Sequence, residues 1–208
     1  MKHIGVVLVL LVMLSCKSSD KNKENEKKDV TTESTPKGDV SLEQRLAEFM
    51  AVNDQMELEK VLDYTYPKLF EIVPRPQLLQ AMREGFNNEE VKVELDSLNV
   101  DKIHPIFDEG TGSYAKVIYS MVMNMTFLKN TSDAETSKMI LATLGETYGK
   151  NNVTANDAGV IRIRTTSPMV AVKNEYAKEW SFVNLKEEDP TINKLFSKEV
   201  LDKLATYN

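Results

Sequence analysis

The chain has 208 residues, 41% of them apolar, with 26 basic and 32 acidic side chains and a net charge of −6. That is enough for one domain with a real core, and too acidic for a nucleic-acid binder, whose affinity rests on phosphate neutralisation by Lys and Arg. The single cysteine excludes an intramolecular disulfide, and two histidines fall short of a zinc ligand set.

Lys2 opens the chain, and residues 4–14 follow as an uncharged apolar run. A membrane-spanning helix needs about 20 apolar residues, so this run fits the core of a secretion signal. Met13-Leu14-Ser15-Cys16 closes it and resembles the lipobox of bacterial lipoproteins, with Ser15 and Cys16 as the matching positions. The resemblance implies cleavage before Cys16 and lipid on its thiol, with the two or more acyl chains that stable anchoring requires. The expected organisation is a signal peptide over 1–15, a lipidated cysteine and charged tether over 16–40, and a single globular domain over 41–208. Residues 17–40 hold six lysines, six acids and almost no large apolar side chains, so burial cannot offset their ordering entropy. Their balanced charge also argues against a patch for anionic lipid. Lys17 stands where lipoproteins kept in the inner membrane of Gram-negative bacteria often have Asp, which by the same resemblance favours the outer membrane. Tether and signal together look like those of Bacteroidetes lipoproteins.

Within the domain, Ser41-Leu42-Glu43-Gln44 is a capping box, and Leu42, Leu46, Phe49 and Met50 then share one helical face. Asp54 with Glu57 predicts the start of a second helix carrying Leu58, Val61 and Leu62. Pro67 and Pro76 suit the first turns of two more, one through Leu69, Phe70 and Val73, the other through Leu79, Met82 and Phe86. The period then changes. Val91, Val93 and Leu95 alternate with charged residues as a half-buried strand, and the phase slips near Ser97-Leu98, which predicts a bulge. After a turn at 108–112, residues 114–127 read as a long strand with Ala115, Val117, Tyr119, Met121, Met123 and Met125 on one face. Ser132-Asp133-Ala134-Glu135 is another capping box, opening a helix through Met139, Ile140, Leu144 and Tyr148 that Gly149 ends. Strands are predicted over 160–166 and 169–173, interrupted at Ser167-Pro168, and over 180–185. A last helix carries Leu195, Phe196, Val200, Leu201 and Leu204.

Helices first and a strand meander after them predict an α+β fold: amino-terminal helices packed on a curved antiparallel sheet, with an inserted helix and a carboxy-terminal helix. This order resembles the nuclear transport factor two-like, or cystatin-like, fold over roughly residues 41–185. The Tyr-Pro-Lys-Leu-Phe-Glu segment at 66–71, followed by a proline-started helix, looks like segments of uncharacterised Bacteroidetes lipoproteins.

Candidates for chemistry are few. Only His104 follows the signal, and it sits between Ile103 and Pro105 with no Gly-x-Ser-x-Gly elbow in the chain, which favours a structural histidine. No catalytic residue, metal site or cofactor is predicted. Asp63 beside Tyr64 is a candidate polar site of the kind some nuclear transport factor two-like enzymes place inside their cone, set against a plain solvated helix position. Glu187-Glu188-Asp189 lacks EF-hand spacing and reads as an exposed loop. Met121 and Met123, with Tyr119 on the same strand face, are candidates for an apolar ligand pocket because thioethers adapt to varied shapes, with core packing as the competing reading. Asp96-Ser97-Leu98 resembles the acceptor pattern for Bacteroidetes protein O-glycosylation, which would place a glycan on Ser97. The expected function is a membrane-tethered, non-catalytic binding or interaction domain of the cell envelope, held by lipid on Cys16. Its partner is an envelope protein or a small apolar ligand. The alternative is a pocket enzyme or apolar-ligand carrier of the nuclear transport factor two-like type.

Overall fold

The computed structural model describes residues 40–128, 134–186 and 189–207. Cys16 with its signal and most of the tether, the Ser132-Asp133 part of the second capping box, and Glu187-Glu188 lie outside them. Ser41 caps the first helix as its sequence predicts: its Oγ accepts the Gln44 N–H at 3.2 Å, and α1 (Leu42–Asp54) buries Leu42 and Leu46. Asp54 ends this helix and does not open the next. The chain turns through Met56 at φ 55°, and α2 (Leu58–Tyr64) follows Glu57 without a side-chain cap. The prolines place α3 (Leu69–Ile72) and α4 (Arg75–Phe86), with Pro76 in the first turn of α4, where its missing N–H has no helical partner to lose.

The sheet is antiparallel, curved and unclosed, so the α+β class expected from the sequence is the one observed. It comprises β1 (Val91–Ile103), β2 (Phe107–Glu109), β3 (Gly112–Phe127), β4 (Val153–Ala155), β5 (Ile161–Asn174) and β6 (Ala177–Asn184). Between β3 and β4 lies the inserted helix α5 (Ala134–Tyr148); Gly149 follows it at φ 91°, a conformation that favours glycine. β3 and β5 pair without interruption from Ser113↔Lys173 to Met125↔Ile161. The outer edge of β3 is taken by β2 and β1, and the outer edge of β5 by β6 and β4.

Two bulges in β1, between Leu95 and Ser97 and between Val100 and Lys102, each absorb one residue. The first is the phase slip read from the sequence. It returns Leu98 to the face of Val93 and Leu95, opposite Met121.

Two further expectations are corrected. Ser167-Pro168 does not interrupt its strand, because Pro168 lies where β5 has no β4 partner on its outer edge. There its carbonyl accepts the Leu185 N–H at 2.9 Å, so its absent N–H faces away from the β3 ladder. The last helix is two helices, α6 (Ile192–Leu195) and α7 (Lys198–Ala205). Phe196 is extended, and the Ser197 Oγ restarts the helix by accepting the Val200 N–H.

Alternation along β3 and β5 sends side chains to opposite faces, and each face has its own cover. Ala115, Val117, Tyr119, Met169 and Ala171 pack beneath α1, while Val91, Val93, Met125, Ile161 and Ile163 extend this layer toward Leu144 of α5. On the opposite face, Tyr114, Val170 and Val172 pack against Leu195, Phe196, Val200 and Leu204. Arg45 joins α1 to β6: its Nε donates to the Trp180 carbonyl at 3.3 Å, and its guanidinium pairs with Glu179 at 3.2 Å. The chain leading out of α2 covers the free edge of β6, where the Tyr66 N–H donates to the Phe182 carbonyl at 3.0 Å.

Candidate functional site

Between the amino-terminal helices and the sheet lies a cavity of about 320 Å³. This is near the small end of the ~300–1,000 Å³ of small-molecule sites. Its floor comes from four strands: Leu95 and Leu98 of β1, Tyr119, Met121 and Met123 of β3, Met169 of β5, and Phe182 with Asn184 of β6. The roof is Phe49, Met50 and Asn53 of α1, Val61 and Leu62 of α2, and Leu78, Ala81, Met82 and Phe86 of α4. Leu69 and Val73 close one side, and Asp189, Thr191, Ile192 and Leu195 line the wall beyond β6.

The cavity exists because α4 does not seat fully. None of its residues is buried, and its apolar side chains stop at the cavity without filling the space above β1 and β3. Surface ion pairs hold α4 to α2: Arg75 donates to Asp63 Oδ1 at 2.6 Å and to the Glu59 carbonyl at 2.8 Å, and Arg83 pairs with Glu59. Exposed pairs of this kind contribute little each. They set where the helix lies more than how firmly it is held.

Five of the ten methionines line the space: Met50, Met82, Met121, Met123 and Met169. Their unbranched side chains can repack around an occupant. Asn53 and Thr65 of the lining give their side-chain donors to the Phe49 and Val61 carbonyls, and the other polar groups belong to β3, β6 and the segment after it. The buried Tyr119 hydroxyl donates to Asn184 Oδ1 at 3.0 Å, beside Ser167, its direct neighbour across the β3–β5 ladder. Burial pushes this phenol up to about 12, so it stays protonated at any ordinary pH. Asn184 is exposed, and Asp189 accepts the Thr191 N–H at 2.8 Å.

The residues picked out from sequence separate in space. Tyr119, Met121 and Met123 line the cavity together. Asp63 lies on the outside of α2 with its carboxylate paired to Arg75, and Tyr64 lies under Arg45, 4.0 Å from guanidinium to ring, with its hydroxyl toward Glu48 at 3.4 Å. Burial, more than the charges around it, raises the Tyr64 phenol above its ordinary value. Ser97 lies half-buried on β1 directly after the first bulge, beside an Asp96 whose carboxylate pairs with Arg162 at 2.7 Å.

His104 is buried far from this lining. Its ring stands 5.0 Å from that of Tyr207, and its Nε2 has no hydrogen-bond partner among the described residues. Burial lowers its pKa first, and the cations Lys102 and Lys116 lower it further, which keeps the imidazole neutral. Lys116, buried next to it, donates to the Tyr207 carbonyl at 2.6 Å.

Sequence reading missed Met82, Met169 and Asn184 as lining. Each is apolar or turn-adjacent in an unremarkable local pattern, and only strand register and helix placement bring them together. Among the described residues, no group of three or more His, Cys, Asp or Glu is placed to hold a metal ion, and no helix is long and apolar enough to cross a membrane. No protein-family model, curated protein or solved structure matches this chain.

Proposed function

We propose that this chain is a lipid-tethered, non-catalytic binding domain of the bacterial cell envelope, anchored through Cys16, whose cavity takes up a small apolar molecule. The observation that carries the reading is the hollow between α4 and the sheet, lined mostly by apolar side chains with adaptable thioethers among them. A pocket enzyme would need acids, bases or nucleophiles converging on one point. Here the carboxylate in the lining is Asp189, while Asp63 is engaged on the outer surface and His104 lies elsewhere. The nuclear transport factor two-like reading agrees with this assignment, since it too places a ligand between helices and a curved sheet. The signal grammar, Lys17 after the cysteine and the charged tether support export and an outer-membrane address.

Methionine methyl NMR on the full chain tests the cavity directly. Decan-1-ol should shift the Met82, Met121, Met123 and Met169 resonances in a saturable way and leave exposed Met139 unmoved; no saturable shift in any cavity methionine sinks the binding reading. The anchor is tested separately. Cys16→Ser should abolish radiolabelled palmitate incorporation and release the protein from membranes, and persistent labelling of that variant would overturn it.

A further inference from the structure

Resting on the binding reading above, we infer that the cavity selects uncharged amphiphiles, an apolar chain ending in one neutral hydrogen-bonding group, and rejects the corresponding carboxylates. Two observations carry this. Among the described residues the lining contains no Lys, Arg or His, and its ionisable carboxylate is Asp189. A carboxylate head would gain no cation there and would share the lining with a like charge, which disfavours it relative to a neutral head of the same chain length.

The polar end is built for a neutral head. Asn184 uses its carbonyl oxygen to accept the Tyr119 hydroxyl, and its amide N–H groups have no partner among the described residues. Tyr119 is itself a neutral phenol in this setting, with its O–H given to Asn184 and its oxygen engaged by the Ser167 hydroxyl. An alcohol or a primary amide can accept from the Asn184 amide without carrying a charge. A plain alkane cannot. Apart from Asn53 and Thr65, whose donors go to the Phe49 and Val61 carbonyls, the rest of the lining is apolar and accepts the chain. Asn184, Asp189 and Thr191 come from the end of β6 and its sequel, with Tyr119 of β3 reaching Asn184, whereas Met82, Phe86 and Leu95 come from α4 and β1. Head and tail thus have separate places.

The experiment compares decan-1-ol, decanamide and decanoate at pH 8 with the full chain, read by the methyl shifts of Met121 and Met123, assigned through Met121→Leu and Met123→Leu. The alcohol and amide should bind at least tenfold more tightly than decanoate. Asn184 is exposed, so its replacement leaves the core intact: Asn184→Leu should weaken the alcohol about tenfold, the effect of one or two hydrogen bonds. Asn184→Lys should reverse the preference in favour of decanoate. Equal or tighter binding of decanoate by the native chain overturns the inference while leaving the binding reading standing. Absence of saturable shifts with all three ligands overturns both.

Discussion

The sheet carries two kinds of packing within a few residues of each other. Behind α6 and α7, Val170, Val172, Leu195, Phe196 and Leu204 form a filled core, and Tyr66 stacks on Phe196 with ring centroids 5.6 Å apart and planes at 8°. The Asn174 amide donates to the Tyr66 hydroxyl at 2.9 Å, so even the polar atom in this core has its partner. Under α4 the same sheet faces a hollow lined with methionines. The difference lies in what anchors the cover. α6 and α7 are short, yet bury Ile192, Leu195, Val200 and Leu204, whereas α4 is twelve residues long and buries none. Helix length does not decide how tightly a face is sealed. The side chains that reach the sheet do.

Truncation should separate the two regions most sharply. Phe196→Ala is expected to cost about 3–5 kcal/mol, as for other fully packed aromatics, while Met82→Ala on the cavity roof should cost about 1 kcal/mol or less, because the space beside it is already open. Urea unfolding midpoints measure both, and equal losses would show the roof to be as tightly packed as the rear core.

Alkaline titration probes the tyrosines of both regions. Burial pushes Tyr66 and Tyr119 up to about 12, against an unfolded value near 10. The folded state therefore holds more protons between these values, so this stabilisation is complete below about pH 10 and is lost as pH rises through about 12. Each phenol should contribute a loss on the order of 2 kcal/mol. Tyr66→Phe and Tyr119→Phe should each flatten that limb of a stability–pH curve. If neither variant alters it, neither phenol is desolvated as described.

Added volume is the third comparison. Ala171 is fully buried beneath α1, and Ala171→Leu should cost about 1–3 kcal/mol through overpacking. Ala81→Leu points into the hollow and should be neutral or stabilising by up to about 1 kcal/mol, with weaker ligand binding as its consequence. Thermal melts with and without decan-1-ol measure both effects, and a destabilised Ala81→Leu would argue that the space is not available. The smallest change is expected from Arg83→Ala, which removes the exposed pair with Glu59. Global stability should fall by under about 1 kcal/mol, while hydrogen exchange rises in α4 and not in β3 or β5. Uniform acceleration across the sheet would contradict an independently loosened roof.

Much of the fold was legible because local rules act on neighbours in the chain. The Ser41 cap, the long β3 with its methionine face, the bulge before Ser97 and the proline-started α4 all follow from residues within one or two turns of each other. Pro168 and the α6–α7 break were misread for a related reason. A proline's cost in a strand depends on whether its N–H faces a partner, and Phe196 is drawn out of helix by the core it joins. The candidate site was half legible. Tyr119, Met121 and Met123 share a strand face by alternation alone. Asp63, equally suggestive in sequence, faces outward because the apolar side chains of α2, Val61 and Leu62, claim the inner side.

By itself the sequence determined the succession of amino-terminal helices, long strands and inserted helix and the apolar face of each, because periodicity and composition are properties of short stretches. Only the tertiary structure decided that α4 stops short of the sheet, that Met50, Met82 and Met169 join Met121 and Met123, and that Asn184 meets Tyr119. The methionine and Asn184–Tyr119 relations link residues 39 to 73 positions apart in the chain. They are set by strand register and by how far each helix can approach, neither of which is a property of any single segment.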